Sequence, residues 1–157
     1  MSYRITGLEP SQFEPYFAMS ETELAERRAL RTRAKASMGF PCRISLRDAD
    51  AGDELLLVNH VNHAVENPYR NAFAIYVRKD AREAAEFVDE CPPVFSGRPI
   101  ALRGYDADGM LTEARLALPG EADAAIRALL ENPAIAYIDA HNAAHGCFSA
   151  RIERHHG

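Results

Sequence analysis

Residues 99–118, PIALRGYDADGMLTEARLAL, decide the fold class of this chain. Pro99 to Tyr105 and Met110 to Leu118 are each predicted to be a strand. Between them lies Asp106-Ala107-Asp108-Gly109, whose Asp-Gly step tolerates the positive φ that tight turns require. The stretch therefore predicts a β-hairpin.

A second hairpin is predicted at the end of the chain, where Ala134 to His141 faces Cys147 to Glu153 across a loop that contains Asn142 and Gly146. Two further strands are predicted upstream. Glu54 to His60 is apolar on both faces, as expected of a strand in the middle of a sheet, and Ala72 to Arg78 alternates.

The early part of the chain predicts shorter elements. Tyr3 to Leu8 is predicted to be a strand. Alternation of Cys42, Ile44 and Leu46 with polar residues predicts another strand over 42–47. Phe13, Tyr16 and Phe17 fall at helical spacing and are expected to close one side of the core.

Three helices are predicted from the residues that begin or end them. Ser20-Glu21-Thr22-Glu23 has the form of a capping box, which predicts a helix to about Arg31. A similar arrangement at Asp80-Ala81-Arg82-Glu83 predicts a short helix through Phe87, and Glu121 to Glu131 is amphipathic with Asn132-Pro133 as a stop. Consecutive hairpins without regular βαβ alternation indicate an α+β fold. We expect a mainly antiparallel sheet with two or three packed helices, in a single domain over residues 1–157.

Composition excludes several classes of function. Hydrophobic residues make up 47% and charged residues 26% of the 157, which is typical of globular proteins. The net charge is −5 and the basic residues are scattered, so no nucleic-acid partner is predicted. The start lacks the apolar core of a signal peptide, and no apolar run approaches the roughly 18 residues that span a bilayer. We therefore predict a cytoplasmic protein without a membrane partner.

The three cysteines, Cys42, Cys91 and Cys147, are odd in number and far apart, which favours reduced thiols over a disulfide framework. No CxxC pair occurs, so a zinc site built mainly from thiolates is not expected. No cofactor is predicted.

Several stretches together resemble a known family. They are Tyr3-Arg4-Ile5-Thr6-Gly7-Leu8, Pro41-Cys42-Arg43-Ile44-Ser45-Leu46, Pro68-Tyr69-Arg70, Ala74-Ile75-Tyr76-Val77-Arg78, Arg103-Gly104-Tyr105-Asp106, Tyr137-Ile138, His141-Asn142 and Gly146-Cys147. Over nearly its whole length the chain is similar to the bacterial domain-of-unknown-function family DUF1203. The resemblance implies no activity, ligand or catalytic residue.

Residues 141–147, HNAAHGC, gather the residue types that carry chemistry. His141 and His145, with His63 and His60 from elsewhere in the chain, are candidate metal ligands because neutral imidazole binds many metals. Histidines four residues apart converge on a helix, whereas Asn142 and Gly146 predict a turn here. A resident metal is therefore not predicted, although these histidines remain the candidate ligands for one.

Cys147 and His141 are the candidate catalytic residues. A neighbouring histidine, or Arg151, would make the Cys147 thiol nucleophilic, because the thiolate is the reactive form. The alternative is that Cys147 is a small residue fitted beside a glycine turn, since cysteine is commonly buried and inert. No pattern in the sequence assigns a reaction.

A candidate anion site consists of Arg43, Arg70 and Arg103 with His141 and Asn142, because guanidinium groups bind carboxylates and phosphates in a bidentate manner. The alternative is ordinary surface pairing with the many carboxylates of this acidic chain. The leading hypothesis is that the protein binds a small anionic molecule near the final hairpin. The competing hypothesis is a non-catalytic interaction module or homodimer.

Overall fold

The computed structural model describes residues 1–157, which form two antiparallel sheets. The strands in chain order are β1 (Tyr3–Thr6), β2 (Ala29–Arg33), β3 (Glu54–His63), β4 (Asn71–Arg78), β5 (Glu86–Val88), β6 (Ile100–Tyr105), β7 (Leu111–Ala117), β8 (Tyr137–Asn142) and β9 (Phe148–Arg154). The larger sheet has the order β5-β1-β9-β8-β6-β7, and the smaller has the order β2-β3-β4.

Three α-helices accompany the sheets: α1 (Glu14–Phe17), α2 (Glu21–Glu26) and α3 (Ala122–Leu130), with two 3-10 turns at Pro10–Gln12 and Pro93–Phe95. None of the helices has both the length and the apolar character needed to cross a membrane. The predicted α+β class with mainly antiparallel pairing is confirmed, although the strands divide between two sheets.

The larger sheet buries one face beneath α3. Ile126 and Leu129 of α3 pack against Leu102 and Ile138 of the sheet, and all four side chains are buried. The sequence of α3 explains this packing, because its apolar residues recur at helical spacing and form one face. The predicted helix and both predicted hairpins are confirmed, and Gly109 in the first hairpin turn has a φ of 74°.

The smaller sheet has its own core. Leu56 and Val58 of β3 and Ile75 of β4 pack with Leu24 of α2 and with Phe13. The expectation that the aromatic segment around Phe13 closes one side of the core agrees with this cluster. Burial of Leu55 as well as Leu56 shows that β3 is covered on both faces, as its continuous apolar run predicts.

The predicted helix over 20–31 is wrong at its end. Its start is confirmed, because the Ser20 hydroxyl accepts a hydrogen bond from the Glu23 amide at 3.2 Å. The helix stops at Glu26, and Arg28 adopts a left-handed conformation with a φ of 53°. Residues 29–33 then pair with β3, so a long-range strand pairing replaces the last helical turn.

The predicted strand over 42–47 is also wrong. This segment is a buried loop in which the Leu46 amide donates to the Cys42 carbonyl at 2.9 Å and Leu46 has a φ of 54°. Its alternating apolar side chains enter the core without a ladder, and only isolated bridges join Pro41 to Asp48 and Cys42 to Tyr76. The loop is therefore held by the core around it.

The predicted helix over 80–87 is absent. Residues 86–88 form β5, which pairs with β1 from Thr6↔Glu86 to Arg4↔Val88. The Tyr3 carbonyl accepts a hydrogen bond from the Asp89 amide, and Asp89 closes the strand with a φ of 54°. Pairing with the sheet thus overrides the local capping pattern.

Candidate functional site

A cavity of about 640 Å³ opens where the two sheets meet. Its walls come from the buried loop, from β3 and β4, from residues 97–99, and from the turn between β8 and β9. The polar lining residues are Arg43, Arg98, Asn142, His145 and Cys147, and the apolar ones include Pro41, Leu57, Phe73, Tyr76 and Pro99. A volume of this size is within the range of small-molecule sites.

The backbone of Arg43 is fixed from both sides. Its amide donates to the Tyr76 carbonyl of β4 at 3.1 Å, and its carbonyl accepts from the Leu8 amide at 2.8 Å. Just before Leu8, Gly7 passes so close to Ile44 that a Cβ on Gly7 would overlap the Ile44 carbonyl. The sequence thus places the buried loop, and Arg43 with it, between the two sheets.

The guanidinium of Arg43 is buried, with only 2% of the residue exposed. Nε donates to the Phe148 carbonyl at 2.8 Å, and Nη1 donates to the Pro41 carbonyl at 2.6 Å. Burial lowers the pKa of Arg43, and no carboxylate forms an ion pair with it; the thiols of Cys147 and Cys42 oppose the shift. Burying a cation without a carboxylate partner costs desolvation free energy, so a negative charge beside Arg43 would be stabilising.

The Cys147 thiol lies directly against this cation. Its sulfur accepts from Nη2 of Arg43 at 3.1 Å and from Nδ2 of Asn142 at 3.5 Å. Cys147 is a free, half-buried cysteine at the wall of the cavity. Two donors therefore converge on one sulfur that a small molecule in the cavity can reach.

Asn142 has one unused polar atom. The residue is 8% exposed, and its side-chain oxygen is buried without a hydrogen-bond partner. The backbone of Asn142 is rigid, because its amide donates to the Cys147 carbonyl at 2.9 Å and its carbonyl accepts from Gly146 at 2.7 Å. The turn thus places an unpaired hydrogen-bond acceptor in a residue of the cavity wall.

Arg98 also lines the cavity, but its charge is balanced. Its two terminal nitrogens bind the Asp48 carboxylate at 2.7 and 3.1 Å, and Nη1 also donates to the Val94 carbonyl at 2.8 Å. Arg43 therefore differs from Arg98 in having no carboxylate partner.

His141 lies outside the cavity. It is fully buried, with Nδ1 2.9 Å from the Gly146 carbonyl and Nε2 3.4 Å from Nη1 of Arg103. Because the arginine is the donor to Nε2, the proton of the neutral ring resides on Nδ1. Burial lowers the pKa of His141 from 6.5 to about 4. No hydrogen bond joins His141 to Cys147, so the two candidate catalytic residues do not form a base–nucleophile pair here.

We expect the buried state of His141 to make stability depend on pH. Its pKa is depressed from 6.5 to about 4 in the fold, so the unfolded chain takes up the proton first as pH falls. The stabilising contribution of neutral His141 is fully present above pH 6.5. It declines toward pH 4, where the free energy of unfolding is lower by about 3 kcal/mol. Urea unfolding at pH 7.5 and 4.5 measures this loss.

The control is His141→Gln, which keeps a polar side chain and removes the titration. Burial also lowers the pKa of His60, but His60 is common to both proteins. The variant should lose about 2 to 3 kcal/mol less than the parent between the two pH values. Equal losses in the two proteins would contradict this assignment.

Arg103 and His63 belong to a buried polar network between the sheets. Cross-strand register aligns Arg103 with Asp139 and Asp139 with Arg151 on one face of the larger sheet. Arg151 binds the buried Asp139 carboxylate through Nε at 2.8 Å and Nη2 at 3.1 Å. His63 stacks on Tyr105 with ring centroids 4.0 Å apart. This network joins the two sheets and lies apart from the cavity lining.

The remaining candidates are dispersed. Arg70 is on the surface and pairs with Glu66 at 3.2 Å, whereas His145 is exposed at the rim of the cavity. The ring nitrogens of His63 are bound to the Tyr69 carbonyl and the Tyr137 hydroxyl. No group of three or more His, Cys, Asp or Glu side chains is arranged to hold a metal ion.

Of the sequence-predicted site residues, the structure thus brings Arg43, Asn142, His145 and Cys147 together at one cavity. It places Arg70, Arg103, His141 and His63 elsewhere. Sequence reasoning missed the Arg98–Asp48 pair and the walls formed by Leu57, Phe73 and Tyr76. Only the alternation in β4 gave a signal for these walls, and it did not show which face borders a cavity.

A family model described as "Protein of unknown function (DUF1203)" matches residues 39–154. No curated protein and no solved structure matches the chain. The matched range contains every cavity residue named above.

Proposed function

The chain belongs to the DUF1203 family, and we propose that it binds a small anionic molecule in the cavity between its two sheets. The observation that carries the proposal is Arg43, a 2% exposed guanidinium that lines the cavity without a carboxylate partner. An anionic group of a ligand supplies the missing charge. Arginine is suited to this role because its planar fork binds carboxylate or phosphate oxygens in pairs.

The free donors of Arg43 support this role. Nη1 and Nη2 each carry two hydrogens and use one of them, on Pro41 and Cys147 respectively. Each terminal nitrogen therefore keeps one N–H for a ligand. Nδ2 of Asn142 lies on the same side, near the Cys147 sulfur.

The walls indicate what else the ligand contains. Leu57, Phe73 and Tyr76 give the cavity apolar walls in addition to the polar turn. A ligand that satisfies both kinds of wall has an anionic group and an apolar or aromatic body. Phenyl phosphate has this composition and serves as the probe.

Isothermal titration calorimetry tests the proposal with three probes. Phenyl phosphate should bind saturably and more tightly than inorganic phosphate, which lacks the ring, and than phenol, which lacks the charge. Its affinity should fall as salt is added, because the contact is partly electrostatic. Absence of saturable binding, or equal binding of phenol, would contradict the proposal.

A homodimer is the second proposal, and the edge strand β7 favours it. β7 pairs on one side only, with β6, and Leu116 and Leu118 are 62% and 51% exposed. An unpaired edge beside exposed leucines is a template for pairing with another copy. In the same strand, Glu113 and Arg115 pair with each other at 3.1 Å, which limits unspecific pairing at this edge.

Sedimentation velocity tests the dimer. We expect a concentration-dependent dimer in the parent and a monomer in Leu116→Lys, because a charge on the exposed face opposes association. Met38→Lys is the matched control, since Met38 is also exposed, at 72%, but lies outside the strand. A monomer in the parent at high micromolar concentration would contradict the proposal.

We also propose a cytoplasmic location for the protein. All three cysteines are free, which fits a reducing compartment. The net charge of −5 supports small-molecule or protein partners over nucleic acid.

A further inference from the structure

We infer that Cys147 is the redox-active thiol of this chain, oxidised by hydroperoxides to a sulfenic acid that Arg43 and Asn142 hold in the cavity. The inference goes beyond the proposed ligand binding, because it requires only the thiol and its two neighbours. The three cysteines differ in their surroundings, and the difference singles out Cys147.

Cys42 and Cys91 lack what such a reaction needs. Cys42 is fully buried, and its sulfur accepts from the amide of Arg78 at 3.3 Å within the core. Cys91 is half-buried at a second, smaller cavity together with Asp123 and Glu90. Burial, with help from these carboxylates, raises the pKa of Cys91. A thiol with a raised pKa is a poor nucleophile at neutral pH.

Cys147 is half-buried like Cys91, but a guanidinium contacts its sulfur. Its sulfur is 3.1 Å from Nη2 of Arg43, a cation without a carboxylate partner. Reactive cysteines are found beside such cations. The two half-buried thiols therefore form an internal comparison.

Asn142 supplies the second, independent observation. Its side-chain oxygen is a buried acceptor without a partner, in a residue that is 8% exposed and lines the cavity. A sulfenic acid on Cys147 adds an O–H donor to a sulfur that already contacts Nδ2 of the same carboxamide at 3.5 Å. The oxidised state thus satisfies a polar atom that the reduced state leaves unpaired.

The reaction balances with a hydroperoxide as the oxidant. The thiolate sulfur attacks one oxygen, the S–O bond forms, and the O–O bond breaks. The other oxygen leaves as alkoxide or hydroxide. It accepts a hydrogen bond from a free N–H of Arg43 and then takes a proton from water. Sulfur loses two electrons and the peroxide gains them, giving a sulfenic acid and an alcohol or water.

A low-molecular-weight thiol restores the cysteine, since neither Cys42 nor Cys91 lines this cavity. It condenses with the sulfenic acid to a mixed disulfide and water. A second thiol then releases Cys147 and leaves as the small disulfide.

Competitive trapping tests the inference. The protein in buffer without phosphate is treated with hydrogen peroxide at less than one equivalent in the presence of dimedone, and peptide mass spectrometry quantifies the adduct at each cysteine. We expect at least tenfold more adduct at Cys147 than at Cys91 or Cys42. Equal labelling of Cys147 and Cys91 would overturn the inference.

Three variants assign the effect to the neighbours. Arg43→Lys keeps a positive charge but loses the fork, and Asn142→Leu removes the acceptor; each should lower the labelling rate of Cys147 at least threefold. Arg127→Gln is the matched control, because Arg127 acts on Cys91, and it should leave Cys147 unchanged. Unchanged rates in Arg43→Lys and Asn142→Leu would overturn the roles given to these residues. If the protein does not bind phenyl phosphate, the order of dimedone labelling among the three cysteines is still expected. Failure of the proposed function is therefore distinguishable from failure of this inference.

Discussion

Replacement of Arg43 by glutamine is expected to weaken phenyl phosphate binding at least a hundredfold. A hydrogen bond to a charged group contributes about 1.5–3 kcal/mol, and two such bonds account for this loss. Glutamine keeps a polar side chain but carries no charge, so the variant tests the charge and the fork together. Calorimetric titration of parent and variant gives the ratio of dissociation constants.

Two further variants serve as controls for this result. Arg43→Lys retains the charge without the bidentate geometry and should lose about tenfold, which is about one charged hydrogen bond. Arg70→Gln should bind like the parent, because Arg70 is on the surface with Glu66 and does not line the cavity. Parent-like affinity in Arg43→Gln, or an equal loss in Arg70→Gln, would contradict the assignment.

Arg43→Gln is also expected to destabilise the fold. The guanidinium joins the Pro41 and Phe148 carbonyls, and thereby ties the buried loop to β9. If both carbonyls lose their donor, the expected cost is about 2–4 kcal/mol in the free energy of unfolding. Binding is therefore measured at a temperature where thermal melts show both proteins to be folded.

Replacement of Gly7 by alanine should cost about 3 kcal/mol of stability and disturb the cavity as well. The nearest atoms to a Cβ on Gly7 are backbone atoms of Ile44 and the amide nitrogen of Ala85, the latter at 3.1 Å. Backbone cannot rotate away as a flexible side chain does. The buried loop, which carries Arg43, must shift to make room.

Gly120→Ala is the control for this variant. Gly120 has a φ of 88° and open space around its Cβ position, so alanine there costs only backbone strain, about 1 kcal/mol. Urea unfolding should give Gly7→Ala a clearly lower free energy of unfolding than Gly120→Ala. Only Gly7→Ala should weaken phenyl phosphate binding. Equal stability of the two variants would contradict the close approach of Gly7 to Ile44.

The sequence was informative where local pattern and long-range pairing agree. Both predicted hairpins, the buried run of β3 and the amphipathic α3 combine a strong periodicity with clear turn or stop residues. These elements need little help from distant residues to be recognised, because each turn joins two strands that lie next to each other in the sheet.

Prediction was wrong where distant pairing decides. Residues 29–33 and 86–88 become strands because β3 and β1 lie beside them, and no local pattern reveals these neighbours. Leu46 adopts a positive φ that alternation along the buried loop does not indicate. Tertiary contacts therefore outweigh propensity in these three segments.

The candidate site shows the same division. Asn142, His145 and Cys147 are near each other in sequence, so a turn suffices to group them at the cavity. Arg43 reaches Cys147 across 104 positions, and nothing in the spacing separates it from Arg70 or Arg103. Burial without a carboxylate partner distinguishes Arg43, and that property exists only in the folded chain.

The most direct test of the account is the ¹H–¹⁵N spectrum of the arginine side chains during titration with phenyl phosphate. Nε–H of Arg43 is buried and bonded to the Phe148 carbonyl, so slow exchange should make its signal visible. We predict a saturable shift of this signal, which is assigned by its loss in Arg43→Lys. A phenyl phosphate titration that saturates while the Arg43 signal stays in place would contradict the claim that this guanidinium receives the anion.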